Sequence, residues 1–414
     1  MTDDRPLRIW LLGYRSHPHC GGQGVYLRHL SRSLVALGHR VTVVTGPPAP
    51  EIDPGIPVHH LPSLDLYNPD DLFRIPHPRE LVNPVNLIEW LGVATMGFPE
   101  PMTFGFRAYR FIRHHLGEID VIHDNQSLSY GIWALAGRRP TVATIHHPIT
   151  RDREIAVAAA RPFWKRLKER RWYSFIAMQT SVARQLGHLV TVSDRARADI
   201  AADFKLPSDR LRVVPNGIDT DRFHPMPGIV REPDRVIVTN SADMPLKGLL
   251  HLMRAVALVA RSGRKIRLTV VGAPTANGDV VRLIRELDIG DRVTFTGRIG
   301  QADFIRHYAE AALAVVPSIY EGFGLPAGEA MACGVPVIAT TGGALPEVVG
   351  DAGVLVPPGN PAALAAAIRD LLDNPERAAQ LGAAGYRRVR RRFTWDRAAR
   401  RTVAVYKDAI RDHH

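Results

Sequence analysis

The chain has 414 residues, 45% of them hydrophobic, with 34 glycines and 32 prolines, which fits two ordinary α/β cores and excludes a mainly disordered polymer. No run of about 18 uninterrupted apolar residues occurs, so no membrane-spanning helix is expected. The formal charge of +12 is the unusual figure, and it fits phosphorylated ligands, an anionic membrane or nucleic acid.

The first ten residues lack the basic start and apolar core of a signal peptide, so a cytoplasmic protein is expected. Cys20 and Cys333 make no disulfide framework and read as reduced thiols. Residues 8–12 form a short apolar strand pattern ended by Gly13, followed by a loop with Gly21, Gly22 and Gly24. Helical spacing of Leu27, Leu30, Leu34 and Leu37 then predicts a helix over 25–37, stopped by Gly38, and residues 41–45 read as the next strand. That β-loop-α-β unit seeds a parallel sheet. Residues 47–104, rich in Pro and Asp, read as excursions at the sheet edge. Strand patterns resume at 121–122, 141–145 and 189–192.

After Pro215-Asn216-Gly217 the alternation begins afresh, with strands expected at 236–239, 268–271, 293–295, 314–316, 337–339 and 354–356, and helices such as 248–261 and 280–287 between them. Purely apolar strands between amphipathic helices imply sheets covered on both faces. The expected fold is α/β, two doubly wound Rossmann-like domains joined near residue 220, with ligands outside the carboxyl ends of the strands.

The strongest motif is Glu321-Gly322-Phe323-Gly324-Leu325-Pro326-Ala327-Gly328-Glu329, between a buried strand and a helix leading to Met331. Its two glutamates span a loop and the first turn of that helix. Glu321 can reach sugar hydroxyls, and Glu329 can accept from ribose hydroxyls. The glycines bring backbone N–H groups close to a ligand, and the helix N-terminus favours a diphosphate. Lys247 is read as opening another helix, where the dipole disfavours a cation; that too points to a diphosphate.

Here the chain resembles the retaining glycosyltransferases of family 4 (glycosyl transferases group 1), which carry a Glu-x7-Glu motif and the GT-B fold. The resemblance runs almost end to end. Gly21-Gly22-Gln23-Gly24 is similar to the family's glycine loop at the donor phosphates, and Val142-Ala143-Thr144-Ile145-His146 to its strand ending in a cleft histidine. Val214-Pro215-Asn216-Gly217-Ile218-Asp219 and Pro245-Leu246-Lys247-Gly248 match as well. Phe393-Thr394-Trp395 precedes a final helix that, in the family, crosses back onto the first domain.

The resemblance implies an acceptor-binding domain over 1–218 and a nucleotide-sugar-binding domain over 219–395, facing across a cleft, with a helix over about 396–414 returning to the first. It assigns the chemistry to His146 at the reacting centre, Lys247 at the departing diphosphate and Glu321 at the donor sugar. Glu329 anchors ribose, and Gly21, Gly22, Gln23, Asn216, Ser241, Gly322, Phe323, Gly324 and Leu325 complete the donor site. His147 is a structural member or an acceptor contact. The implied reaction is retaining transfer of a hexosyl unit to an acceptor hydroxyl, from a UDP-sugar first and GDP-mannose second, with no cofactor beyond the donor.

One position departs from the family. Where members commonly carry an arginine six residues before the motif lysine, this chain has Ser241. Another basic residue substitutes, or donor affinity is weaker, or activity is lost; substitution is the favoured account. Asp219-Thr220-Asp221 would pass an Asp-x-Asp search, but it follows the Asn-Gly turn and reads as a solvated linker, so no metal is expected. The rival functions are a non-catalytic sugar-nucleotide binder, motivated by Ser241, and a GT-B epimerase or phosphorylase.

Between 151 and 171, eight Lys and Arg stand against three acids, beside Phe163, Trp164, Leu167 and Trp172. Residues 104–116 add Arg107, Arg110 and Arg113 beside Phe106, Tyr109, Phe111 and Ile112. Basic residues next to aromatics suit an anionic lipid surface; the alternative is solvated helices with their aromatics packed inward. A peripheral position on the inner face of the membrane, with a lipid-linked acceptor, is therefore expected. Arg387 to Arg392 read as decoration of a surface helix, and no recognised nucleic-acid-binding module occurs, so no nucleic-acid partner is expected.

Overall fold

The computed structural model describes residues 5–17, 22–68, 71, 74–239 and 244–413; Cys20, Gly21 and Ser241 lie outside them. In chain order the strands are β1 (Arg8–Gly13), β2 (Arg40–Thr45), β3 (Val58–His60), β4 (Val121–Asn125), β5 (Thr141–Ile145), β6 (His188–Thr191), β7 (Leu211–Val213), β8 (Glu232–Thr239), β9 (Arg267–Val271), β10 (Val293–Phe295), β11 (Ala311–Val316), β12 (Val337–Thr340) and β13 (Val354–Val356). They form a seven-stranded sheet in the order β3-β2-β1-β4-β5-β6-β7 and a six-stranded sheet in the order β10-β9-β8-β11-β12-β13. Neighbours pair in parallel throughout. Each sheet belongs to its own compact unit: Met1–Val192, Ala196–Pro215 and Trp395–His414 in the first, Ser193–Arg195 and Asn216–Thr394 in the second.

Both units are doubly wound. The strand order reverses between β1 and β4 in one sheet and between β8 and β11 in the other. Every residue of β5 and of β12 is buried, the continuous pattern expected when helices cover both faces. In the first unit, helix Gly22–Ala36 packs Leu27, Leu30 and Leu34 against Ile9, Leu11 and Val43. The same core takes Trp395, Ala399 and Tyr406 from the C-terminal helix Trp395–His413. In the second, Leu252, Met253 and Val256 of helix Leu249–Arg261 pack with Leu364, Ile368 and Leu371 of helix Pro361–Asp373.

A buried polar chain ties the C-terminal helix to the first sheet. Tyr26 OH and Thr144 Oγ1 are 3.1 Å apart, Thr144 Oγ1 and His123 Nε2 2.7 Å, and His123 Nδ1 and Tyr406 OH 2.5 Å. Each of these buried groups finds a partner in the chain, which is the condition for tolerating polar atoms in a core. Burial pushes the His123 imidazole down to about 3, so it serves there as a neutral hydrogen-bonding ring.

Three elements differ from the sequence expectation. The 47–104 stretch is more than an edge excursion: β3 extends the sheet, and helices Pro78–Leu81, Pro84–Ala94 and Glu100–Ile112 follow. The first helix begins at Gly22 rather than near 25. Residues 104–116 turn their apolar side inward, with Phe104 and Ile112 buried and Tyr109 and Phe111 packed on the core around Trp10, Leu12 and Ile122. That arrangement removes these aromatics from any lipid-facing role. Among the described residues no helix is long and apolar enough to cross a membrane.

Helices Glu100–Ile112 and Tyr130–Ala136 approach through glycines. A Cβ placed on Gly131 would lie 1.9 Å from the Gly105 carbonyl oxygen, closer than atoms allow, so the helices must part if one is added. Gly131→Ala is expected to lower unfolding free energy by about 1–3 kcal/mol, the usual cost of overpacking. Gly117→Ala, whose Cβ would meet nothing within 4 Å, should leave the denaturant midpoint in place. Equal midpoints for the two variants would show that the helix contact yields freely.

Candidate active site

In the second unit the switch point lies between β8 and β11, and doubly wound sheets bind ligands outside the strand ends there. The exit of β8 leads to a single turn, Pro245–Lys247, closed by Gly248 at φ +68°. A Cβ on Gly248 would come within 2.0 Å of the Pro317 carbonyl oxygen, so only glycine lets this turn lie against the exit of β11. The Ile319 N–H donates to the Leu246 carbonyl at 2.7 Å, joining the two exits. This geometry brings Lys247 to Glu321: Nζ donates to Oε1 at 2.6 Å, and Ser318 Oγ donates to the same oxygen at 2.8 Å.

The Glu321 backbone is equally constrained. The Ala344 N–H donates to its carbonyl at 2.8 Å, and Gly343, at φ +63°, leaves no room for a Cβ beside it. Gly322 follows, and Gly324, in the left-handed region, starts helix Leu325–Ala332. Glu329 stands in the second turn of that helix, one turn later than expected. Gly328 abuts Ile218, so the helix lies directly on the chain that follows Asn216 and Gly217. Desolvation pushes the Glu329 carboxyl up to about 7; Arg222 opposes the shift and Asp219 adds to it.

Another expectation changes in detail. Lys247 closes a turn ahead of helix Leu249–Arg261 instead of opening that helix, and its cation is matched by Glu321, so helix-dipole repulsion no longer argues for an anion. Phe323 packs edge-on against Phe393, with ring centroids 5.6 Å apart. Asn216 is buried, and its Oδ1 has no hydrogen-bond partner among the described residues. Asp219 Oδ1 accepts from the Arg222 N–H at 3.2 Å, a turn cap. No group of three or more His, Cys, Asp or Glu with metal-binding geometry occurs among the described residues.

In the first unit, Gly22 and Gln23 open the helix after β1, and His146 follows β5. Asn125 ends β4 and joins them: its Oδ1 lies 2.7 Å from His146 Nε2, and its Nδ2 donates to the Gln23 carbonyl at 3.0 Å. Because Asn125 Oδ1 can only accept, His146 carries its proton on Nε2. Desolvation, with His147 and His123 adding to it, pushes the His146 imidazole down to about 3, so the ring is neutral. Tyr26 meets it edge-on at 4.7 Å. The His146 N–H donates to Gln126 Oε1 at 2.8 Å, and Gln126 Nε2 donates to the His147 carbonyl at 3.2 Å. The His147 ring instead pairs with Asp152, Nε2 to Oδ2 2.8 Å.

Sequence reasoning passed over Asn125, Gln126 and Gln179. Gln126 and Leu128 are buried non-glycine residues with positive φ, +60° and +46°, a costly backbone conformation that persists only where the surroundings enforce it. The Leu128 N–H donates to Asp124 Oδ2 at 2.8 Å, and Gln179 Nε2 donates to the Gln126 carbonyl at 3.0 Å. The available signal was the polar run His123-Asp124-Asn125-Gln126-Ser127 issuing from an apolar strand.

Comparison with known proteins places these residues in two family matches. Residues 20–222 match the model described as Glycosyltransferase Family 4, and residues 225–388 match Glycosyl transferases group 1. The chain is 48% identical over 409 residues to an MMP alpha-(1->4)-mannosyltransferase of Mycolicibacterium hassiacum, covering 98% of both chains. It is 30% identical over 440 residues to D-inositol 3-phosphate glycosyltransferase 2 of Catenulispora acidiphila, covering 98% of this chain and 96% of that one. Among solved structures it is similar to sucrose-phosphate synthase from Thermosynechococcus elongatus, with a TM-score of 0.76, 25% identity, and 99% and 100% of the two chains covered.

The Glu329 shift has a stability consequence. Its folded value of about 7 lies above the ordinary 4.5, so the folded state keeps a proton that the unfolded state releases. The stabilisation is complete below 4.5 and is lost as pH rises through 7. The stability of the wild type relative to Glu329→Gln should therefore fall between pH 4.5 and 7 and level off above. Glu100 and Asp124, also shifted upward, cancel in that difference. A difference independent of pH, measured by chemical denaturation, would place Glu329 in contact with water.

Proposed function

The chain belongs to the group 1 glycosyltransferases and has the GT-B fold, and on that premise we propose that it transfers a mannosyl unit from a nucleoside diphosphate mannose to an acceptor hydroxyl, with retention. The observation that carries this reading is the convergence of Lys247 and Glu321 at the β8–β11 switch point, with Glu329 eight positions beyond Glu321. The sugar follows the mannosyltransferase relative, which moves GDP-mannose ahead of the UDP-sugars favoured by sequence.

The proposed steps begin from the Lys247–Glu321 pair. The donor diphosphate takes over Lys247 from Glu321, and the released carboxylate accepts hydroxyls of the sugar. The Lys247 charge then stabilises the phosphate oxygen as negative charge develops on it, a prepared electrostatic site. Glu329 accepts from the ribose hydroxyls. Backbone groups of Gly322, Gly324 and Leu325, the Gly21-Gly22-Gln23 loop, Asn216 and Ser241 complete the donor contacts, and Phe323 supports them through its packing on Phe393. Neutral His146 presents a hydrogen-bonding ring to the reacting sugar. The bond from the sugar's anomeric carbon to phosphate breaks, a bond to the acceptor oxygen forms on the same face, and the acceptor proton passes to the departing phosphate. No protein nucleophile and no metal ion take part. The acceptor is proposed to be carried on lipid at the inner membrane face.

Incubation with GDP-mannose and an α-mannoside acceptor should yield an α-linked product by NMR; a β-linked product would refute retention. Lys247→Ala should lower kcat more than it weakens nucleotide binding. His146→Ala should slow transfer roughly tenfold or more while nucleotide affinity in calorimetry stays near wild type. EDTA should leave the rate unchanged, and inhibition reversed by Mg²⁺ or Mn²⁺ would overturn the metal-free step.

A further inference from the structure

Helix Pro84–Ala94 is built inside out. Its buried positions are Val85 and Glu89, the latter 1% exposed and ion-paired with Arg107. On the other side Leu87 and Leu91 are 38% and 48% exposed. A helix bordering water normally does the reverse. Helix Phe163–Trp172 buries none of its residues and presents Phe163 at 73%, Trp164 at 59% and Leu167 at 56% exposure.

The two helices adjoin. Arg171 donates to Thr95 Oγ1 at 2.8 Å, and Trp172 stacks on Phe98 with centroids 5.1 Å apart. Trp164, Leu167 and Arg171 share one helical face by their spacing. That face therefore runs toward Thr95, one turn beyond Leu91 and next to exposed Met96. Exposed apolar residues gathered on two helices that meet at their C-terminal ends mark an interaction site.

The cations between the apolar residues select the occupant. Lys165, Arg166, Lys168 and Arg170 are all exposed, and Lys165 Nζ lies 5.5 Å from the Trp164 ring centroid. A second copy docked through the same patch would set these charges against their equals. An anionic lipid surface attracts every one of them and accepts Trp and Leu at its headgroup boundary. We infer that the patch formed by Phe163, Trp164, Leu167, Leu87, Leu91 and Met96 is a docking face for an anionic bilayer. Its purpose rests on the proposed lipid-borne acceptor; the docking itself needs no transfer.

The full-length chain would be co-sedimented with phosphatidylcholine vesicles carrying increasing phosphatidylglycerol. Binding should rise with the anionic fraction, shift Trp emission to the blue, and fall by roughly tenfold in high salt as the charges are screened. The triple variant F163S/W164S/L167S, changed only at exposed positions, should lose roughly tenfold or more of the partition coefficient with unaltered GDP-mannose binding and transfer to a soluble mannoside. Absence of binding to anionic vesicles at low salt, or a triple variant that partitions like the wild type, would overturn the proposal. So would a wild-type dimer that the triple variant converts to monomer, since the patch would then belong to a second copy. Vesicle binding without any mannosyl transfer would leave the docking face standing and refute the proposed reaction.

Discussion

A strand in a parallel sheet cannot be reached from its neighbour by a tight turn; the chain must return over a helix lying on one face of the sheet. Both units obey this constraint in two directions from a central strand pair, β1–β4 and β8–β11. Where successive returns diverge, no crossover covers the strand ends. Gln23, Asn125, Lys247 and Glu321 all lie at or beyond those ends, next to strands whose carboxyl halves are largely buried. Their placement rests on the apolar packing beneath them together with the loops' own hydrogen bonds, such as the Ile319 N–H to the Leu246 carbonyl.

The two units handle polarity differently. In the second, a carboxylate only 9% exposed is tolerated because a lysine and a serine both donate to it; removing either would leave buried charge short of a partner. A ligand anion that recruits Lys247 must first displace Glu321, so part of its binding free energy is offset by breaking that pair. Around His146 the first unit works with uncharged groups. His146, Asn125, Gln126 and Gln179 form amide and imidazole hydrogen bonds, and burial keeps the ring neutral. At its strand ends the second unit holds a charged pair, and the first holds a neutral imidazole–amide network.

Most strands were legible as short apolar runs, such as Val236-Ile237-Val238 and Val354-Leu355-Val356, set between helical patterns. In β3 (Val58-His59-His60) and β7 (Leu211-Arg212-Val213) polar residues break such a run, so the local pattern does not separate them from a loop and tertiary pairing decides them. Glu321 and Glu329 were legible through the glycines that separate them. The place of Lys247 was not, because a single turn closed by a left-handed glycine has the same apolar spacing as the start of a helix. Asn125 and Gln126 were missed for another reason: their role comes from β4 and β5 being neighbours, which no local window contains. The inversion of helix Pro84–Ala94 was equally hidden. Its apolar residues would ordinarily be placed inward, and the partner that permits Glu89 to be buried, Arg107, stands on a different helix.

The C-terminal helix has a consequence for how the protein is made. Its nineteen residues supply Trp395, Ala399, Tyr406 and Ala409 to the core of the first unit, and Tyr406 completes the partner set of buried His123. On the ribosome, the first sheet emerges early and then waits while the whole second unit is translated. The second unit, Asn216–Thr394 apart from Ser193–Arg195, has nearly all its residues in one run and can close as synthesis passes it. The amino-terminal unit is thus the last to mature. During that interval the groove meant for Trp395 and Tyr406 is an open apolar surface, and chaperone demand should be concentrated there.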